Sequence, residues 1–148
     1  MNTMKMAQVN KILQDLAKKN KGRLTPQMVV TFAKPSSSPL HKYFTWEDNA
    51  AGILWREQQA RQLILQVHYK VSEDSSVNAW VNFKHKKLGG QCYVRLERAL
   101  SDTDLKKEML KRSLQEVNYW KQQYATLFEL NPIFAAIARI NKKYRGAL

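Results

Sequence analysis

The sequence predicts an α+β fold: one mainly helical domain with a small three-stranded antiparallel sheet in its middle. Three observations carry this prediction. Apolar residues recur three and four positions apart over residues 6–16, 50–63 and 105–127, the spacing of one helix face. Between residues 65 and 96 the period falls to two, the mark of half-buried strands. A chain of 148 residues with 44% apolar side chains has enough material for one sizeable core and little reason to split into several.

The first element is an amphipathic helix. Met6, Val9, Leu13 and Leu16, with Ile12 beside them, form its apolar face, and it ends near Asn20 and Gly22. Its opposite face is basic, so residues 1–23 read as a basic amphipathic helix. Residues 24–64 read as a helical, helix-turn-helix-like segment. Thr25 is placed to cap a helix whose first position is Pro26, with Met28, Val29 and Phe32 on its apolar side. Lys34-Pro35-Ser36-Ser37-Ser38 breaks that helix, and Ser38-Pro39 opens a single turn through Phe44. Thr45-Trp46-Glu47-Asp48 reads as a capping box for a longer helix through Ile53, Leu54, Ala60 and Leu63.

Residues 65–98 read as a β-meander. Leu65, Val67, Tyr69 and Val71 alternate with polar residues; Glu73 to Ser76 is a turn; Val77, Ala79, Val81 and Phe83 make a second run and Cys92, Val94 and Leu96 a third. Gly89-Gly90 marks the tip of the last hairpin. Residues 101–145 then hold a long helix from Ser101 or Asp102 with a stripe of Leu105, Met109, Leu110, Val117, Trp120, Tyr124 and Leu127. Asn131-Pro132 separates it from a basic C-terminal helix.

Charge is the strongest functional signal. Twenty-five Lys and Arg face twelve Asp and Glu, a formal net charge of +13. Residues 1–24 hold six cations and one acid, residues 84–98 five and one, residues 139–145 four and none; the stretch 101–130 is neutral. Polyanions are therefore the first partner class: nucleic acid, with DNA favoured over RNA, or an acidic protein surface as the alternative. A basic amphipathic N-terminus lying on anionic membranes is a third, weaker option.

Several chemistries find no support in the sequence. A lone cysteine, Cys92, excludes an internal disulfide and a zinc finger, and places the chain in a reducing cytoplasm; at an alternating apolar position it reads as a buried small residue. His41, His68 and His85 have no ligand-pair spacing, no phosphate-cradling glycine loop is present, and the carboxylate pairs Glu47/Asp48 and Asp102/Asp104 stand at helix starts, where they serve caps and dipoles. No enzymatic activity, cofactor or metal is expected, and neither a signal peptide nor a transmembrane span is read.

The order helix, break, turn, helix from Leu24 to Leu65, followed by strands and a basic hairpin, is similar to a winged helix-turn-helix, in which the second helix enters the major groove and the hairpin reaches the backbone or the minor groove. The linker after the first of those helices is longer than that motif uses, and a packing layer with Tyr43, Phe44 and Trp46 as core is the competing interpretation. Lys84, Lys86 and Lys87 at a glycine-bearing tip, with Arg95 and Arg98, are the candidate phosphate contacts, since each cation can release condensed counterions. Lys42, Arg56 and Arg61 are candidates on the helical side. Trp80 and Tyr93 could offer a stacking surface beside Lys84, against the commoner use of such residues as core.

Leu24-Thr25-Pro26-Gln27-Met28-Val29-Val30, Ser38-Pro39-Leu40-His41-Lys42-Tyr43-Phe44-Thr45-Trp46 and Ala60-Arg61-Gln62-Leu63-Ile64 together resemble a group of small proteins from phage and prophage genomes, and the similarity continues through Tyr93-Val94-Arg95-Leu96 to Pro132-Ile133-Phe134. The resemblance implies a protein acting on DNA in the cytoplasm of a bacterial host and transfers no functional residue. The expectation is a non-enzymatic nucleic-acid-binding protein using a basic β-hairpin. Its rival is an interaction module that dimerises or docks through the neutral helix 102–127.

Overall fold

The computed structural model describes residues 5–46 and 49–146. It is mainly helical with short antiparallel strands, and it forms two compact units, residues 1–98 and residues 99–148.

In the first unit, α1 (Met6–Lys19) buries Val9, Leu13 and Ala17 and ends at Asn20, followed by a turn in which Lys21 and Gly22 take left-handed backbone angles. There Gly22 N donates to Ala17 O at 2.7 Å. The second helix, α2 (Pro26–Ala33), starts as its sequence predicts: Thr25 Oγ1 accepts from Met28 N, and Pro26 stands where no helical N–H is needed. A 3-10 turn (His41–Tyr43) leads toward α3 (Ala50–Leu65).

The start of α3 differs from the predicted capping box. Asn49 is the cap, its Oδ1 accepting from Gly52 N at 2.6 Å, while the Thr45 hydroxyl accepts from Gln59 Nε2 in the middle of α3. Glu47 and Asp48, the other half of the expected box, lie outside the described residues. Asn49 caps as well as a Ser or Thr would, so the box signal was displaced by an equally good residue nearer the helix.

The meander is replaced by two separate two-stranded ribbons. β1 (His68–Ser72) pairs antiparallel with β2 (Ser75–Asn78), and β3 (Trp80–His85) pairs antiparallel with β4 (Gly90–Arg95). The continuous alternating run from Val77 to Phe83 is cut at Ala79. Its N–H donates to Val67 O and its carbonyl accepts from Leu96 N, so the backbone there serves two non-ladder partners and cannot continue one strand. Leu65 ends α3 and Leu96 begins α4 (Leu96–Ser101), so neither is a strand residue. The first ribbon is exposed almost throughout, Val71 and Val77 included, against the half-buried character that its alternation predicts.

The core of this unit joins α1, α2, α3 and the root of the second ribbon: Leu13, Leu24, Val29, Leu40, Ile64 and Trp80 are fully or nearly fully buried. Leu24 is tied to the ribbon by a reciprocal pair, its N–H donating to Tyr93 O at 3.0 Å and its carbonyl accepting from Tyr93 N at 2.7 Å.

The second unit is a helical hairpin. Asp102 caps α5 (Thr103–Gln123) by accepting from Asp104 N and Leu105 N. A 3-10 turn (Phe128–Leu130) leads to α6 (Asn131–Tyr144), which starts at Asn131-Pro132 as predicted. Asn118 and Asn141 exchange side-chain hydrogen bonds between the two helices at 3.2 and 2.7 Å.

Candidate nucleic-acid interface

The candidate interface is built on the β3–β4 hairpin. Strand β3 carries Lys84 out to solvent, and a 3-10 turn (Lys86–Leu88) then presents Lys86 and Lys87 while burying Leu88 as the anchor beneath them. His85 organises the turn, its Nδ1 accepting from Lys87 N at 3.2 Å. Gly89 closes it at φ +72°, a conformation that costs a side-chain-bearing residue about 1 kcal/mol or more. The glycines expected at the tip are thus required by the turn itself.

Two basic segments far apart in sequence meet at this hairpin. The bridge between Leu24 and Tyr93 brings the α1–α2 connection alongside β4, and the Arg23 guanidinium lies against the tip, 3.5 Å from the point where a β-carbon on Gly89 would stand. Arg98 reaches back to the same connection: its Nη1 donates to Lys21 O at 2.8 Å and sits directly over Gly22, where a β-carbon would overlap it. Residues 21–23 and 84–98, separated by sixty residues of chain, therefore share one positive region. The only sequence signal that Arg23 carries is membership of the basic segment 1–24, and the bridge to Tyr93 is what singles it out.

The other predicted contacts differ in exposure and partners. Arg95 is partly buried, with Nη2 donating to the Tyr69 hydroxyl at 3.0 Å and to Glu97 Oε1 at 3.1 Å; the Tyr69 hydrogen bond is the chief reason its guanidinium is held charged even more firmly than usual. Lys42 is exposed, its ammonium 5.6 Å from the centroid of the Tyr43 ring. Arg56 is only 8% exposed. It packs 5.5 Å from the Trp46 ring centroid and donates to Thr45 O, so it braces the loop before α3 and leaves the set of surface contacts.

Arg61 does join the hairpin's surroundings. The pairings 82 with 93 and 84 with 91 put Asn82, Lys84, Gln91 and Tyr93 on one face of the ribbon. Beside that face a polar cleft of about 140 Å³ is lined by Pro26, Gln27, Arg61, Asn82, Gln91, Cys92 and Tyr93. Glu57 orients its far wall, accepting from Gln27 Nε2 at 2.8 Å and from Arg61 Nη2 at 3.4 Å. Burial pushes the Tyr93 phenol above its ordinary value, with the nearby Arg61 charge pulling the other way.

No stacking platform forms here. Trp80 and Tyr93 share a face with Lys84 as expected, but both are buried and belong to the core. Cys92 is buried, in keeping with a small apolar role. Among the described residues no group of three or more His, Cys, Asp and Glu could hold a metal ion, and no helix is long and apolar enough to cross a membrane.

Comparison with known proteins adds no relative: no family model matches the chain, and no curated protein or solved structure is significantly similar to it.

Proposed function

We propose that this protein is a non-enzymatic nucleic-acid-binding protein, with DNA favoured over RNA, that grips phosphates with the tip of the β3–β4 hairpin. The supporting observation is the meeting of Lys84, Lys86 and Lys87 with Arg23 around a tip that carries no acidic residue between Trp80 and Arg95. Clustered cations of this kind raise the local concentration of a polyanion and release its counterions on contact. The hairpin then acts as the wing of a winged-helix-like arrangement, and the polar cleft with Arg61, Asn82 and Gln91 lies where an adjacent nucleotide would pass. The resemblance to phage and prophage proteins suits such a role in a bacterial cytoplasm.

The test is fluorescence anisotropy with labelled duplex DNA, single-stranded DNA and RNA of equal length at about 50 and 200 mM salt. Micromolar or tighter binding at the lower salt, strongest for DNA and weakening steeply at the higher, is expected. Absence of binding to all three at about 50 mM salt would overturn the proposal and turn the positive charge toward an acidic protein partner.

A further inference from the structure

The helical hairpin of the second unit leaves several large apolar side chains in water. On α5, Val117 and Trp120, with Tyr124 at the C-terminal cap, recur at spacings of three and four, one side of the helix, and Ser113 continues that line without a charge; all three stay partly in water, although the Trp120 ring also packs edge-on to Phe134 of α6 at 5.9 Å. On α6, Ile133 and Ile140 are seven apart and likewise exposed. With Asn118 facing Asn141, the helical period brings both stripes to the same side of the hairpin.

Phe128, in the turn between the helices, is 76% exposed. The exposed shares of Trp120, Tyr124, Phe128 and the aliphatic residues leave roughly 500 Å² of apolar surface. A stable interface buries about 800 Å² per partner, of which somewhat more than half is apolar, so this side alone supplies what one partner must contribute.

The two ends of the hairpin are complementary to each other. At the turn stand Phe128 and Glu129. At the opposite end, about 30 Å away along α5, a groove of about 480 Å³ is lined by Leu100, Leu110 and Tyr144 with Lys106 and Lys107. Lys142 and Arg145 line a separate cleft with Lys121, Ala138 and Asn141. Two copies side by side in parallel would bring these basic ends together, whereas an antiparallel pairing about a twofold axis sets each acidic, aromatic turn against the other copy's basic, apolar groove. Residues 101–130 are neutral in a chain of net charge +13, so α5 adds no net repulsion between two copies, and the cations of residues 139–145 are the repulsion that the apolar contact has to outweigh.

We propose that the α5–α6 hairpin is a homodimerisation surface on which two copies dock antiparallel, Phe128 of each entering the other's groove and Glu129 of each facing Lys106 and Lys107. Sedimentation of the full chain from about 1 to 100 μM, without nucleic acid, is the test. The wild type is expected to shift from monomer to dimer within this range. Phe128→Ser, at a side chain with little to hold it in its own copy, should weaken dimerisation about tenfold or more.

Glu129→Lys should also weaken it, and combining Glu129→Lys with Lys106→Glu and Lys107→Glu should restore it. That reciprocal rescue reports the antiparallel contact, which a general loss of folding would not reproduce. A wild type that stays monomeric at 100 μM overturns the proposal, as does a dimer indifferent to Phe128→Ser and to the charge exchange. Both results are independent of whether nucleic acid binds.

Discussion

Replacing Lys84, Lys86 and Lys87 together by Gln changes the charge of the hairpin tip while leaving its turn intact, because Leu88, Gly89 and the His85 contact to Lys87 N are untouched. Four cations gather at the tip in the wild type, counting Arg23. Each phosphate neutralised on duplex DNA contributes about −0.9 to the slope of log affinity against log salt, so four give a slope near −3.6 and a loss of about 150-fold between 50 and 200 mM. With one cation left the slope falls to about −0.9 and the loss over the same range to about 3.5-fold. Anisotropy titrations at four or five salt concentrations measure both slopes directly. A thermal melt of the variant should match the wild type, since all three side chains are exposed. If the triple variant melts normally and keeps a slope within about half a unit of the wild type, the phosphates are held elsewhere and the assignment of the hairpin is wrong.

Other outcomes follow from individual contacts. Arg56→Leu should lower stability by about 1–3 kcal/mol in chemical denaturation, because it removes a buried charge-assisted donor to Thr45 O and the cation beside Trp46, and it should leave the salt slope of binding unchanged. Gly22→Ala places a side chain at φ +79° and against Arg98 Nη1, so a loss of about 1 kcal/mol or more is expected, with Arg98 displaced from Lys21 O. Asn118→Ala strands the amide of partly buried Asn141, and should lower the midpoint of the α5–α6 unit by the equivalent of about 1–3 kcal/mol, seen as lost helical ellipticity at lower denaturant. Because burial raises the Tyr93 phenol above its unfolded value of 10.0, the folded state holds that proton more tightly. The stability it contributes is complete below pH 10 and is lost as pH rises through the folded value. Urea midpoints from pH 8 to 11 should therefore fall less steeply in Tyr93→Phe than in the wild type.

The punctuation of the fold was written in local chemistry. Thr25-Pro26, Asn131-Pro132, Asp102 and the Gly89-Gly90 pair act on backbone groups within a few residues of themselves, and their consequences are the same in any tertiary setting. The segmental charge and the helices near both chain ends were legible from composition and period, and Cys92 from its place in an alternating apolar run. What no local pattern could decide was where distant pieces would compete for one backbone group or one side chain. Ala79 breaks an alternating run because Val67 and Leu96 claim its N–H and carbonyl. Arg56 is buried because Trp46 and Thr45 fold over it, and Trp80 and Tyr93 turn a basic face's aromatics into core. Arg23 joins the hairpin because one bridge, Leu24 to Tyr93, ties two basic stretches that lie far apart along the chain. Burial and pairing depend on partners remote in sequence, and only the folded chain selects them.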